Sequence, residues 1–431
     1  MKRLLVLLIP ALSLAVNLSL YIDSSMKDRI TVSVDLDFGS IELGASLLVS
    51  NDGKFHDPVH SSYYFGHYFR AEEGFTDLKL ENFSLKAGRF SPRDDVESPY
   101  SLFLNSESNP FAAMGLSYDS NLFSYRTLWL GLTNQLNGLG FPERGANYRS
   151  VTLKLGDIRV GYQEAIVYTE RYFDFEYFFN PIPNFFTQYS RLYSNVLREG
   201  TNDNSILGFF IDWNFHKGYL YSQILVDDFN MNRFYGGFQN PDKVAWSLGG
   251  WIDLSFGKVH LYHAGATKYT FEPSIAGLHD EYFHYPVLVI PVGDSTRMIL
   301  PEENYVGYKY GENALSFMVA LEPETEWFDS YLSLELVLSG AKSPINPWHE
   351  SRSVPEGTHI LDDEKIQKIF RISTELSKGF EWVRFRIGAI YEFIDNPLRV
   401  IEASDGDGEM YVPGEGTESE FKAFMEVSVG F

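Results

Sequence analysis

The chain contains no cysteine. Disulfides, thiolate nucleophiles and cysteine-based metal sites are therefore excluded. Beyond the N-terminus, no apolar run approaches the ~20 residues that a membrane-spanning helix needs, which excludes a helical membrane protein. Basic residues are scarce beside acids, 35 against 58, and the formal net charge is -23. Such a chain repels phosphate backbones, so nucleic acid is discounted as a partner. The ten histidines are scattered, with no His-Glu-x-x-His run and no Gly-x-Ser-x-Gly elbow. Asp227-Asp228 is a paired carboxylate at a strand end, where it reads as a loop cap. Asp405-Gly406-Asp407-Gly408-Glu409 begins like a calcium loop but lacks the flanking helices. The expectation is no enzyme, no cofactor and no metal.

Aromatics are plentiful at 16%, while apolar residues as a whole reach an ordinary 44%. That balance suits a membrane β-barrel, in which only alternate residues of each strand face lipid. The N-terminus reads as a signal peptide over residues 1–15. Lys2 and Arg3 form a basic start, Leu4 to Leu14 an apolar stretch, and Ser13-Leu14-Ala15 a small-x-small cleavage site. Residues 16–431 are then read as one transmembrane barrel domain.

Period-two alternation, the mark of a strand with two different faces, recurs along the chain. Ile30, Val32, Val34 and Leu36 alternate with Thr31, Ser33, Asp35 and Asp37. Leu332, Leu334, Leu336 and Leu338 alternate with Ser333, Glu335 and Ser339. Short turns, such as Phe38-Gly39, Glu81-Asn82 and Gly156-Asp157, alternate with longer loops near 50–61, 91–110, 133–147, 167–204, 227–243, 271–312, 342–365 and 394–418. Outer-membrane barrels combine short periplasmic turns with long outer loops. The fold class is therefore all-β, a transmembrane antiparallel barrel of about 18 strands, with 16 as the alternative if the strand at 17–23 or the long one at 62–80 fails. An even count puts both termini in the periplasm. The location is the cell outer membrane, with lipid and the barrel assembly machinery as partners.

The last strand, expected over 420–431, is the sharpest single feature. Phe421, Ala423, Met425, Val427, Val429 and Phe431 share one face, and Lys422, Glu426, Ser428 and Gly430 the other. Alternating apolar residues ending in an aromatic resemble the C-terminal signal read by outer-membrane assembly machinery, carried here by Val427, Val429 and Phe431.

A barrel of 16–18 strands leaves an aqueous channel. Residues opposite the apolar faces should line it: Asp35, Glu42, Asp77, Lys79, Lys86, Arg126, Lys154, Asp212, Asp253, Glu335, Arg371, Glu375, Arg384, Arg386, Lys422 and Glu426. Arg371, Arg384 and Arg386 read either as a basic ladder for anionic solutes or as partners of lumenal acids. The loop at 167–204 carries eleven aromatics, from Tyr168 to Tyr193, suited to stacking on sugars or to an interface girdle. Residues 184–195 after Pro183 suggest a short helix. The loop at 271–312 is expected to fold inward, with an outer hairpin as the alternative.

Three segments resemble outer-membrane barrels of the porin and capsule-assembly type: LENFSLKAGRFSP (Leu80 to Pro92), NDNSILGFFIDWNFHKGYLYSQILVDDFN (Asn202 to Asn230) and YKYGENAL (Tyr308 to Leu315). The resemblance implies an eighteen-stranded barrel that passes solutes or binds exopolysaccharide. The leading expectation is a porin-like channel for small hydrophilic solutes or ions, as a homotrimer. Its acidic outer loops would concentrate cations at the mouth. The alternative is a barrel that binds or attaches surface polysaccharide. An open lumen favours the first and an occluded lumen the second.

Overall fold

The computed structural model describes residues 13–52, 65–105, 107–133, 143–193, 203–228, 241–271, 289–292, 295–298, 305–342, 357–402 and 409–430. Eighteen strands form one sheet, each antiparallel to its neighbours. In the first half they are β1 (Ser13–Asp23), β2 (Asp28–Asp37), β3 (Ile41–Ser50), β4 (Tyr68–Leu80), β5 (Phe83–Phe90), β6 (Phe111–Asp119), β7 (Phe123–Thr133), β8 (Arg144–Leu155) and β9 (Ile158–Thr169). Helices α1 (Phe175–Phe179) and α2 (Asn184–Tyr193) follow. The barrel continues with β10 (Asn204–Phe215), β11 (Gly218–Asp228), β12 (Lys243–Leu254) and β13 (Gly257–Ala266). A small hairpin, β14 (Val289–Val292) with β15 (Ser295–Met298), precedes β16 (Ala314–Pro323), β17 (Asp329–Ser339), β18 (Gln367–Gly379) and β19 (Val383–Asp395). A second hairpin, β20 (Leu398–Glu402) with β21 (Glu409–Pro413), leads to β22 (Thr417–Gly430). The last strand pairs with β19 on one side and β1 on the other, with Asn17 opposite Gly430 and Ile22 opposite Met425. This closure leaves no open sheet edge, as a sheet in hydrocarbon requires.

The strand expected at 62–80 is a single strand, described from Tyr68. The expected first strand also forms, but it starts earlier than 17, and Ser13 and Ala15 pair with Asp37 and Asp35. The last residues assigned to the leader therefore continue β1. The loop alternation has one exception: Ser24 to Lys27 join β1 to β2 in a tight turn at the end where the long loops lie.

The period-two pattern becomes an outside and an inside. On β17, Leu332, Leu334 and Leu336 are exposed, whereas Ser333, Glu335, Val337 and Ser339 are buried. On β10, Phe209, Ile211 and Trp213 face outward and Ile206, Phe210 and Asp212 inward. At the short-turn end the exterior carries exposed Phe256, Trp327, Phe328, Phe380 and Trp382. Rings of this kind sit at the level where hydrocarbon meets water. No described helix is long and apolar enough to cross a membrane, so the crossing is made by strands.

Candidate functional site: the lumen

Residues 91–110 are not an outer loop. The stretch from Arg93 to Asn105 turns into the barrel and crosses it. Near the start, Arg126 on β7 donates from Nη1 to the Arg93 carbonyl at 2.7 Å. Further on, Arg159 on β9 donates to the Asp95 carbonyl at 3.0 Å, and the Glu97 amide donates to the Tyr219 hydroxyl of β11 at 3.0 Å. The Tyr100 hydroxyl then reaches Glu335 Oε1 on β17 at 2.6 Å. Strands β7 and β17 stand eight places apart in a ring of eighteen, almost opposite one another. A segment anchored on both spans the lumen.

Asp94 organises the crossing. Its Oδ2 accepts the amides of Phe103 and Leu104 at 3.0 and 3.1 Å. Its Oδ1 accepts from Gln163 of β9 at 2.7 Å and Gln223 of β11 at 3.1 Å. The next carboxylate, Asp95, receives the Tyr148 hydroxyl at 2.6 Å and pairs with Arg126 at 3.3 Å. Tyr100, Leu102, Phe103 and Leu104 are thereby held away from water among Leu130, Ala146, Ala165, Ile206 and Leu225 of the wall. Gly208 makes room: a Cβ there would lie 2.9 Å from the Phe103 ring and 2.1 Å from the Ile224 carbonyl oxygen.

A second inward segment packs on the first. Residues 305–313 close the connection expected to fold inward, and Tyr305, Val306, Tyr308 and Tyr310 are buried. The Asn105 amide donates to the Val306 carbonyl at 2.6 Å. Glu335 is the meeting point. It accepts from Tyr100 and Tyr310, both at 2.6 Å, and from Arg371 at 2.9 Å. Lys309 Nζ stands 3.9 Å away. At this level the lumen, expected from the strand count to be an aqueous channel, is crossed by two packed inward segments. Eighteen strands enclose room for a channel; here two inward segments occupy it. Within the same connection, β14 and β15 form a backbone hairpin; residues 272–288, 293–294 and 299–304 lie outside the described residues.

The sixteen residues expected to line the lumen divide into three groups. Arg126, Asp212, Glu335 and Arg371 are engaged at or beside the inward segments; Asp212 holds Arg159, with Nε at 3.0 Å. A second group forms pairs along the wall. Lys79 meets Glu42 at 2.5 Å, Ser84 donates to Asp77 at 3.0 Å, and Lys86 lies 3.6 Å from the centre of the Phe75 ring. Arg386 bridges Glu375 at 3.2 Å and Glu426, whose carboxylate its Nε reaches at 2.8 Å. Asp35 lies near Gly44, and Lys422 stands 3.4 Å from Glu420. The third group lies by the short turns: Lys154 with Asp119, Asp253 opposite Lys258, and Arg384 at 3.9 Å from Asp329. The three arginines do not form a ladder. Arg371 and Arg386 are each held between two carboxylates, Arg371 also reaching Glu392 at 2.6 Å. Arg384 is exposed at the rim.

Sequence reading missed Asp94, Asp95, Gln163, Gln223, Tyr148 and Tyr100. Gln163 and Gln223 are neutral, so a search for charged lumen residues passes over them. The signal for the crossing was Tyr100-Ser101-Leu102-Phe103-Leu104, an apolar patch in a stretch read as a water-exposed loop. Asp227 receives the Phe271 amide, from the connection after β13, at 2.7 Å. Phe431 and the 403–408 part of the acidic loop lie outside the described residues. Val427 and Val429 sit on β22 opposite Phe385 and Val383, and opposite Leu20 and Leu18. Among the described residues no group of His, Asp or Glu has the arrangement of a metal site.

A closed, eighteen-stranded antiparallel barrel with an apolar exterior and an aromatic ring at its short-turn end is an outer-membrane β-barrel. No family model and no curated protein matches the sequence. Solved structures do match. One is Wzi of Escherichia coli, described as an outer membrane protein involved in group 1 capsule assembly and a carbohydrate-binding β-barrel. The likeness has a TM-score of 0.57 at 11% identity, over 96% of this chain and 84% of that one. Another is OprD of Pseudomonas aeruginosa, with a TM-score of 0.48 at 10% identity, over 97% of this chain and 94% of that one. At such identities the likeness is one of fold, that of an outer-membrane β-barrel.

Proposed function

We propose that this barrel binds polysaccharide at the cell surface and does not serve as an open diffusion pore. The observation that carries the reading is the segment from Arg93 to Tyr100, which bridges nearly opposite walls and is locked by Asp94 and Glu335. A diffusion pore keeps a water-filled path; here the path meets buried Tyr100, Leu102, Phe103 and Tyr308. The fold likeness to a barrel described as carbohydrate-binding supports the same choice.

The reading is tested by two measurements on the purified, folded protein. In planar bilayers it should give no stepwise conductance, while immobilised protein should retain surface polysaccharide from cells of its own source. Steady conductance of the unmodified protein, or silence combined with no retention of polysaccharide, would sink it.

A further inference from the structure

Between β9 and β10 the chain does something a barrel loop does not need to do: it folds back over the outside of the wall. Arg149 lies on the same side of β8 as exposed Leu153 and Leu155, and Glu164 on the same side of β9 as exposed Val160 and Ile158. That side is the exterior. Yet the Arg149 and Glu164 side chains are each only 2% exposed, paired at 2.9 Å. They are covered by α1 and α2. Arg149 donates to the carbonyls of Tyr177 at 2.7 Å, Asn180 at 2.5 Å and Ile182 at 2.6 Å. Glu164 accepts the Asn184 amide at 2.8 Å. On β7, Thr127 donates to the Phe178 carbonyl at 3.2 Å and the Trp129 indole to the Tyr172 carbonyl at 2.6 Å.

The cover has two faces. Inward it presents Tyr177, Phe178, Asn184 and Thr187, all buried. Outward it presents Phe175, Phe179, Ile182, Phe185, Phe186 and Tyr189, all exposed. Its ends are tied by charge: Arg171 and Arg191 both bind Asp174, the N-cap of α1, at 2.8 Å. The exposed aromatics continue the apolar exterior formed by Leu153, Val160 and Phe209 on the strands beneath.

A charged pair on the lipid face of a barrel wall is costly. An exposed apolar patch of this size in water is costly too. Both costs vanish together if the patch faces hydrocarbon. We propose that α1–α2 lies in the lipid layer as an aromatic cover, replacing the polar wall of β7, β8 and β9, and that its occupant is the lipid acyl chains around the barrel. The inference rests on the membrane location and stands whether or not the barrel binds polysaccharide.

Because the chain has no cysteine, single sites can be labelled cleanly. The variants Phe175→Cys, Phe179→Cys and Phe186→Cys carry a nitroxide in protein reconstituted into phosphatidylcholine vesicles; three positions guard against one variant failing to fold. Phe209→Cys, on the lipid wall, and Asp362→Cys, exposed on an outer connection, are the references. The expected result is loss of relaxation by a water-soluble nickel chelate and gain of relaxation by oxygen, matching position 209. Nickel relaxation matching position 362 would overturn the proposal. Efficient copper-catalysed disulfide formation between unlabelled Phe186→Cys chains would also overturn it, with a second copy of the chain as the occupant. Neither outcome bears on glycan retention, so the two readings fail separately.

Discussion

Replacing Asp94 by alanine should unlock the lumen. The carboxylate holds the amides of Phe103 and Leu104, residues 0% and 1% exposed. Gln163 and Gln223 also donate to it, but each amide group has a second partner: the Tyr148 hydroxyl for Gln163 and Gln163 Oε1 for Gln223, both at 2.7 Å. Besides the part-buried Asp95 amide, which donates to Oδ1 at 2.7 Å, the variant therefore strands two buried backbone donors. At about 1–2 kcal/mol each, the closed arrangement loses about 2–4 kcal/mol, a factor of roughly 30 to 1000 in the closed-to-open ratio. Single-channel recording reads that ratio directly. The unmodified protein should stay silent, Asp94→Ala should flicker open, and excision of residues 93–105 with a short replacement turn should conduct continuously. Asp94→Asn keeps one acceptor oxygen and should lie between the first two. If the excised barrel, folded by its unboiled gel migration, stays as silent as the parent, residues 93–105 do not close the lumen.

Three further outcomes are expected. Arg149→Met leaves Glu164 buried without its cation and should destabilise the α1–α2 cover by about 3–5 kcal/mol, read as protease cleavage between residues 175 and 193; adding Glu164→Leu should restore much of the resistance. Leu334→Arg puts a cation on the lipid face of β17 and should cost about 2–4 kcal/mol in a denaturant titration of the folded barrel. At the outer rim, His67 Nδ1 donates to the Phe65 carbonyl at 3.0 Å and Nε2 meets Asp28 at 2.8 Å, contacts that raise its pKa above the ordinary value. A raised pKa means the pairing is fully present below about pH 6.5 and is lost as pH rises through the folded value. An NMR titration should place His67 above the free imidazole, and Asp28→Asn should bring it down.

The barrel was legible in the sequence because its determinants are local and periodic. A strand between lipid and lumen must alternate, so Leu332, Leu334 and Leu336 against Ser333 and Glu335 announce both the strand and its outward face. Turn length then fixes which end faces the periplasm, and α2 after Pro183 was readable from its own few residues. The sequence by itself therefore determined the fold class, the membrane and the alternation of the wall, and it put the strand number at about eighteen with sixteen as the alternative. It could not determine what fills the barrel. Tyr100 and Glu335 are 235 positions apart, and nothing in the spacing of either says that they touch. Nor could it show that Arg149 and Glu164, both on the outward side of their strands, are roofed by α1 and α2. Those facts depend on which loops turn inward and which fold back over the wall. That choice is made by shape and by satisfied polar groups across strands far apart in the ring, and only the closed tertiary structure brings those strands together.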